Sequence, residues 1–148
     1  MYETLITVQG NVVGDIDLRT TDSGKSWCSF RIAATERIRD RDSQQWTDGT
    51  TNFFTVKCWN RLATNVVTSL AKGMPVIVTG RLQQRRYERE VGAQTVSSYT
   101  SEIQAGTVGP DLSRGVATFE RTKSAAVQRA EERALADVEM ESGGPPPF

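Results

Sequence analysis

One run of helical periodicity interrupts the period-two segments of residues 1–110, and its position limits the folds open to them. Leu62, Val66 and Leu70 recur at helical spacing, with Ala63 and Val67 beside them. Asn60 to Lys72 therefore reads as one short amphipathic helix. Gly73 takes the C-cap position and Pro75 prevents continuation. Three strand-like segments precede it. Leu5 to Val13 puts Ile6, Val8, Gly10 and Val12 on one face. Gly10 and Gly14 mark a bulge or bend, and Leu18 to Thr21 extends the strand to the Asp22-Ser23-Gly24 turn. Trp27 to Thr35 alternates Cys28, Phe30, Ile32 and Ala34 with Ser29, Arg31 and Ala33. Phe53 to Trp59 is the third strand. Arg37 to Thr51, rich in charge, reads as a long mobile hairpin tip with its turn signal at Asp48-Gly49. After the helix, Val76 to Glu88 and Thr95 to Ala105 make two more strands around Glu90-Val91-Gly92.

Three strands, one helix and two strands is the element order of an OB fold, an all-β five-stranded barrel. A sandwich would show more strands and a parallel sheet more helices. The 148 residues suffice for one such domain and a tail, which we place at 1–109 and 110–148. The character changes after Gly106-Thr107-Val108-Gly109-Pro110. Residues 116–140 are rich in Ala, Glu and Arg, with Phe119, Ala126, Val127, Ala130, Ala134 and Val138 roughly on one helical face, so the tail is expected to be partly helical. Its Gly/Pro end, Ser142 to Phe148, predicts no regular structure.

Several function classes fall away. The chain has no histidine, which removes the commonest general base, the commonest zinc ligand and every Ser-His-Asp or Cys-His arrangement. Cys28 and Cys58 lack metal-ligand spacing and read as buried reduced thiols. Asp40, Asp42 and Asp48 in the hairpin and Glu131-Glu132 in the tail do not form a convergent carboxylate site. Gly24-Lys25-Ser26 lacks the earlier glycine and the strand-to-helix context of a phosphate loop. The expectation is a protein without cofactor or metal that is not an enzyme. With no signal peptide and no apolar stretch able to span a bilayer, it reads as cytoplasmic.

Net charge is zero, and residues 1–110 hold 13 Lys/Arg against 11 Asp/Glu, so any case for nucleic acid rests on where the cations sit. Strand parity supplies that case. In the third strand Phe54, Val56 and Cys58 share one apolar face, while Phe53, Thr55, Lys57 and Trp59 share the other. A small barrel has one inside. If the first set fills it, Phe53 and Trp59 point outward beside a lysine. In the fourth strand Val76, Val78, Gly80 and Leu82 face the core, and Thr79, Arg81, Gln83, Arg85 and Tyr87 face out. Arg31 is outward on the second strand. Exposed aromatics interleaved with cations suit single-stranded nucleic acid, whose bases stack on rings while phosphates pair with Arg and Lys. The competing reading is that a subunit contact or the 37–51 hairpin covers these rings. Covering a barrel end is one reading of Trp27, and Trp46 either stacks on a base or packs down on the barrel.

The chain also resembles the bacterial single-stranded DNA-binding protein family over Thr4 to Ile103. The likeness rests on Val8-Gln9-Gly10-Asn11, Ile32-Ala33-Ala34-Thr35-Glu36, Val56-Lys57-Cys58-Trp59-Asn60-Arg61-Leu62-Ala63, Leu70-Ala71-Lys72-Gly73 and Val76-Ile77-Val78-Thr79-Gly80-Arg81-Leu82, in that order. The resemblance implies sequence-tolerant binding of single-stranded DNA in replication, recombination or repair, near the nucleoid. It implies base stacking on Phe53, Trp59 and Tyr87; the family's fourth aromatic position falls at Ile38, which cannot stack as an indole does. Family cations map onto Arg61, Lys72, Arg85 and Arg86. A homotetramer is implied, with first strands pairing subunits. So is docking of replication and repair proteins on a terminal Pro-Phe, matched here by Pro147 and Phe148. The acidic run that precedes that dipeptide in the family is absent, Asp137, Glu139 and Glu141 being few and set back. A helix-like segment replaces the usual low-complexity linker. These departures point to a secondary, paralogous member.

Overall fold

A computed structural model of the chain describes residues 2–122 and 125–142. The chain divides into two units, Met1–Val116 and Ala117–Phe148. The first holds β1 (Leu5–Thr20), β2 (Ser26–Arg39), β3 (Trp46–Trp59), α1 (Asn60–Ser69), β4 (Pro75–Val91) and β5 (Gln94–Pro110). The five strands form a closed barrel in the order β1-β2-β3-β5-β4. All pairings are antiparallel except β3 with β5. This is the all-β OB arrangement expected, with its one helix between the third and fourth strands.

The period-two pattern is what builds the interior. Val12, Cys28, Phe30, Ile32, Val56, Cys58, Val76, Val78 and Ile103 alternate inward from five strands and are buried. Helix α1 adds Ala63 and Val66, and Leu70 follows just beyond it. Two glycines let neighbouring backbones close on each other. A Cβ on Gly10 would lie 2.7 Å from the Ala33 carbonyl oxygen, and one on Gly80 would collide with the Gln104 carbonyl oxygen. The Gly80 contact coincides with the register shift in the β4–β5 ladder.

Three local expectations need correction. Helix α1 ends at Ser69, and Leu70 is the C-cap, extended and donating its N–H to the Val66 carbonyl. Gly73 instead takes a left-handed φ of 88° in the following turn and donates to the Val12 carbonyl at 2.7 Å, so it joins α1 to β1 and does not cap the helix. Asp48-Gly49 is not the hairpin turn, because β2 and β3 continue past it and Arg37 opposes Asp48 with a 3.2 Å ion pair. Gly49 lets the two strands sit close there, since a Cβ would lie 2.6 Å from Ile38 Cδ1 and displace that side chain. The reversal lies at Asp40–Gln45, where the Asp40 N–H donates to the Gln45 carbonyl and the Asp40 carbonyl accepts from the Gln44 N–H. The Asp42 amide and the Ser43 hydroxyl donate to the Asp40 carboxylate there and hold its pKa below the usual value.

The second unit contains α2 (Ala125–Ser142). Helix was expected from Val116, yet 116–122 are not helical. Gly115 and the β-branched and aromatic residues Val116, Thr118, Phe119 and Thr122 are poor helix formers, and the alanine-rich composition that favours helix begins at Ala125.

Candidate nucleic-acid interface

Register, more than any single residue, defines the outer surface of β2, β3, β5 and β4. Arg31 opposes Thr55, Thr55 opposes Glu102, and Glu102 opposes Gln83. One row along, Ser29, Lys57, Gln104 and Arg81 align in the same way. Partners in such a row share a face. All eight have the outward parity, so four strands present one continuous polar sheet surface.

The aromatics stand on that surface. Phe53 is 49% exposed, Trp59 40% and Tyr87 46%. The β2–β3 hairpin therefore covers none of them. The Arg31 guanidinium carbon lies 4.9 Å from the Phe53 ring centroid, which places a cation directly on a candidate stacking ring. Trp59 donates its indole N–H to Gln104 Oε1 at 3.3 Å, and Gln104 in turn donates to Gln83 Oε1. Its orientation is thus set by the neighbouring strands. Trp27 directly opposes Trp59 and stacks on it, with centroids 5.9 Å apart and planes inclined by 27°.

The cations divide into groups. Lys57 and Arg85 converge on Glu102, Lys57 Nζ at 3.8 Å from Oε1 and Arg85 Nε at 3.0 Å from Oε2. Glu102 is only 6% exposed although its parity is outward, because long side chains fold over it. The Arg85 contact is an ion pair without hydrogen-bond alignment, so Oε2 is buried with no hydrogen bond. Arg81 pairs with Glu3 at 3.4 Å in the open. Arg86 lies on the other face of β4 from Arg85 and Tyr87. It opposes Tyr99, donates to the Ser97 hydroxyl and pairs with Glu88 at 3.8 Å. Arg61 is exposed in the first turn of α1, one residue past the Trp59–Asn60 corner. Lys72 lines a separate cavity with Asn11, Gly73 and Arg114.

The geometry thus gathers Arg31, Phe53, Lys57, Trp59, Arg81, Arg85 and Tyr87 on one sheet surface and leaves Arg86 and Lys72 off it. Ile38 and Trp46 are half exposed at the hairpin, with Arg39 6.0 Å from the Trp46 ring, so Trp46 does not pack down on the barrel. Pro147 and Phe148 lie outside the described residues. Sequence reasoning missed Glu102, whose only signal was an acid at outward parity in a strand of otherwise neutral residues. It also did not set Trp27 against Trp59, on which it stacks at the outer surface. Cys28 and Cys58 are buried and free, as their alternation implied. The described residues include no group of three or more acids and thiols able to hold a metal, and no described helix is long and apolar enough to cross a membrane.

Comparison with known proteins matches residues 4–110 to the Single-strand binding protein family. The chain is 48% identical over 120 residues to the single-stranded DNA-binding protein of Corynebacterium glutamicum, covering 81% of this chain and 52% of that one. It is 42% identical over 146 residues to single-stranded DNA-binding protein 1 of Streptomyces coelicolor, covering 99% and 90%. Several relatives of the first kind are longer, so the chain spans about half their length. Among solved structures, the small single-stranded DNA-binding protein of Streptomyces coelicolor superposes with a TM-score of 0.68 at 44% identity, covering 78% of this chain and all of that one. The second single-stranded DNA-binding protein of Mycobacterium smegmatis superposes with a TM-score of 0.59 at 32% identity, over 81% of this chain and all of that one.

Proposed function

The chain belongs to the single-strand binding protein family, and from that premise we propose that it binds single-stranded DNA, without strong sequence preference, on the outer surface of β2, β3, β4 and β5. The observation that carries this reading is the exposure of Phe53, Trp59 and Tyr87 on a surface that also holds Arg31, Lys57, Arg81 and Arg85. Unpaired bases stack on the rings, each contributing about 1–3 kcal/mol by alanine substitution. Phosphates pair with the cations and release counterions. Arg61 extends the cationic track at the Trp59 corner. Lys72 and Arg86, off this surface, meet the strand only if it wraps beyond the four-strand face. Binding, not catalysis, is the activity, and it serves replication, recombination or repair in the cytoplasm, at the nucleoid. The assembly is a homotetramer, and Pro147-Phe148 docks partner proteins of those processes.

One observation favours a second reading, an OB scaffold that no longer holds DNA: Glu102 already pairs with both Lys57 and Arg85. Titrating intrinsic tryptophan fluorescence with a homopolymeric single strand, alongside a duplex control, separates the two. Quenching by the single strand and not by the duplex supports the first reading, and no response to either supports the second.

A further inference from the structure

We propose that Trp27 is a further base-stacking residue and that the cavity beside it is a subsite for a nucleobase. The inference rests on the single-strand-binding reading and extends its track past Trp59 to the β1–β2 edge. Arg19 opposes Trp27, and Trp27 opposes Trp59, so a cation and two indoles form one row across β1, β2 and β3. The Trp27 and Trp59 rings are already stacked, which makes them a two-ring platform in place of two separate sites. Two cations border the Trp27 ring, the Arg19 guanidinium carbon 5.5 Å and Lys57 Nζ 5.9 Å from its centroid.

A cavity of about 310 Å³ opens at this ring, with Arg19, Trp27, Lys57, Asp15, Asp17 and Glu102 among its lining residues. Its chemistry selects the part of a nucleotide that enters. Three carboxylates disfavour a phosphate inside it. An uncharged base meets the face of the Trp27 indole. The phosphates then run outside, past Arg19 and Lys57.

The chain has three tryptophans, Trp27, Trp46 and Trp59, which makes a direct test available. In the double variant Trp46→Phe, Trp59→Phe, aromatic rings remain at both positions and Trp27 is the only indole. The full chain is titrated with oligo(dT) carrying a terminal dye, reading dye anisotropy for binding and Trp27 emission for stacking. Quenching of Trp27 in step with the anisotropy rise is expected. In the otherwise native chain, Trp27→Leu is expected to weaken binding about fivefold or more, and Trp27→Tyr to restore most of it, with circular dichroism confirming a folded barrel. An anisotropy rise with unchanged Trp27 emission, or native affinity in the Leu variant, overturns the subsite and leaves the parent reading standing. If the native chain gives no anisotropy rise at all, the parent reading fails and takes the subsite with it.

Discussion

Arg85 Nε lies 3.0 Å from Oε2 of Glu102, a carboxylate that is only 6% exposed at the centre of an otherwise solvent-facing sheet. The same carboxylate lies 3.8 Å from Lys57 through its other oxygen. Two of the cations best placed to meet phosphates are therefore already paired with an internal anion. A phosphate must compete with Glu102 for them.

That competition sets the first expectation. Glu102→Gln keeps the shape and removes the charge, so affinity for single-stranded DNA should rise. The dependence of log K on log salt should steepen by about one unit for each cation freed to meet a phosphate. Titrations at several salt concentrations measure both, and an unchanged slope would show that Lys57 and Arg85 do not contact the backbone.

The exposed aromatics should separate binding from stability. Phe53→Ala, Trp59→Ala and Tyr87→Ala are each expected to cost about 1–3 kcal/mol in single-strand affinity. Their unfolding free energies should change much less than that of the core truncation Phe30→Ala, at about 3–5 kcal/mol. Denaturant titration beside a binding isotherm gives the comparison for each variant.

Gly80 is held by backbone, not by turn conformation. Adding a methyl group drives a Cβ into the Gln104 carbonyl oxygen, and a β4–β5 ladder closed by many hydrogen bonds cannot open locally without strain. Gly80→Ala should destabilise the barrel by about 1–3 kcal/mol. Gly109→Ala in the same sheet meets nothing within 4 Å and should be nearly silent in the same denaturation assay.

Burial pushes the Cys58 thiol up to about 12 from the ordinary 9.0, and the facing Cys28 adds to the shift. The folded state therefore holds this proton more tightly than the unfolded state does. Below pH 9 both states are protonated and the stability is complete; between about 9 and 12 the unfolded thiol ionises first and stability falls. Urea midpoints should decline across that window, and the decline should be shallower in Cys58→Val.

The tail offers a last separation. Deleting Pro147-Phe148 should reduce capture of replication and repair proteins while leaving single-strand affinity unchanged. On the proposed reading the Pro-Phe ring docks in a hydrophobic pocket of a partner and the barrel binds the DNA. Pull-downs from the intact and truncated chains, run beside binding isotherms, read the two effects independently. Equal recovery of partners would leave the barrel as the whole function.

What the sequence determined by itself was everything that depends on period. Alternation in β1 to β5 fixed which side chains fill the barrel, and the spacing of Leu62, Val66 and Leu70 placed α1 between β3 and β4. Because a closed barrel has one inside, the same parity turned Phe53, Trp59, Arg81, Arg85 and Tyr87 outward before any register was known. Tertiary structure decided what alternation cannot carry. Strand register set Trp27 against Trp59 and brought Glu102 of β5 beneath Lys57 of β3 and Arg85 of β4, groups separated along the chain by up to 45 residues. Arg86, adjacent to Arg85 in sequence, points the opposite way because successive strand residues alternate faces. The hairpin turn lies at Asp40–Gln45 and not at Asp48-Gly49, because the β2–β3 ladder continues through Arg37–Asp48, Ile38–Thr47 and Arg39–Trp46. Period is a property of one strand and is written locally, whereas the partner of a buried charge depends on which strands lie side by side and in what register.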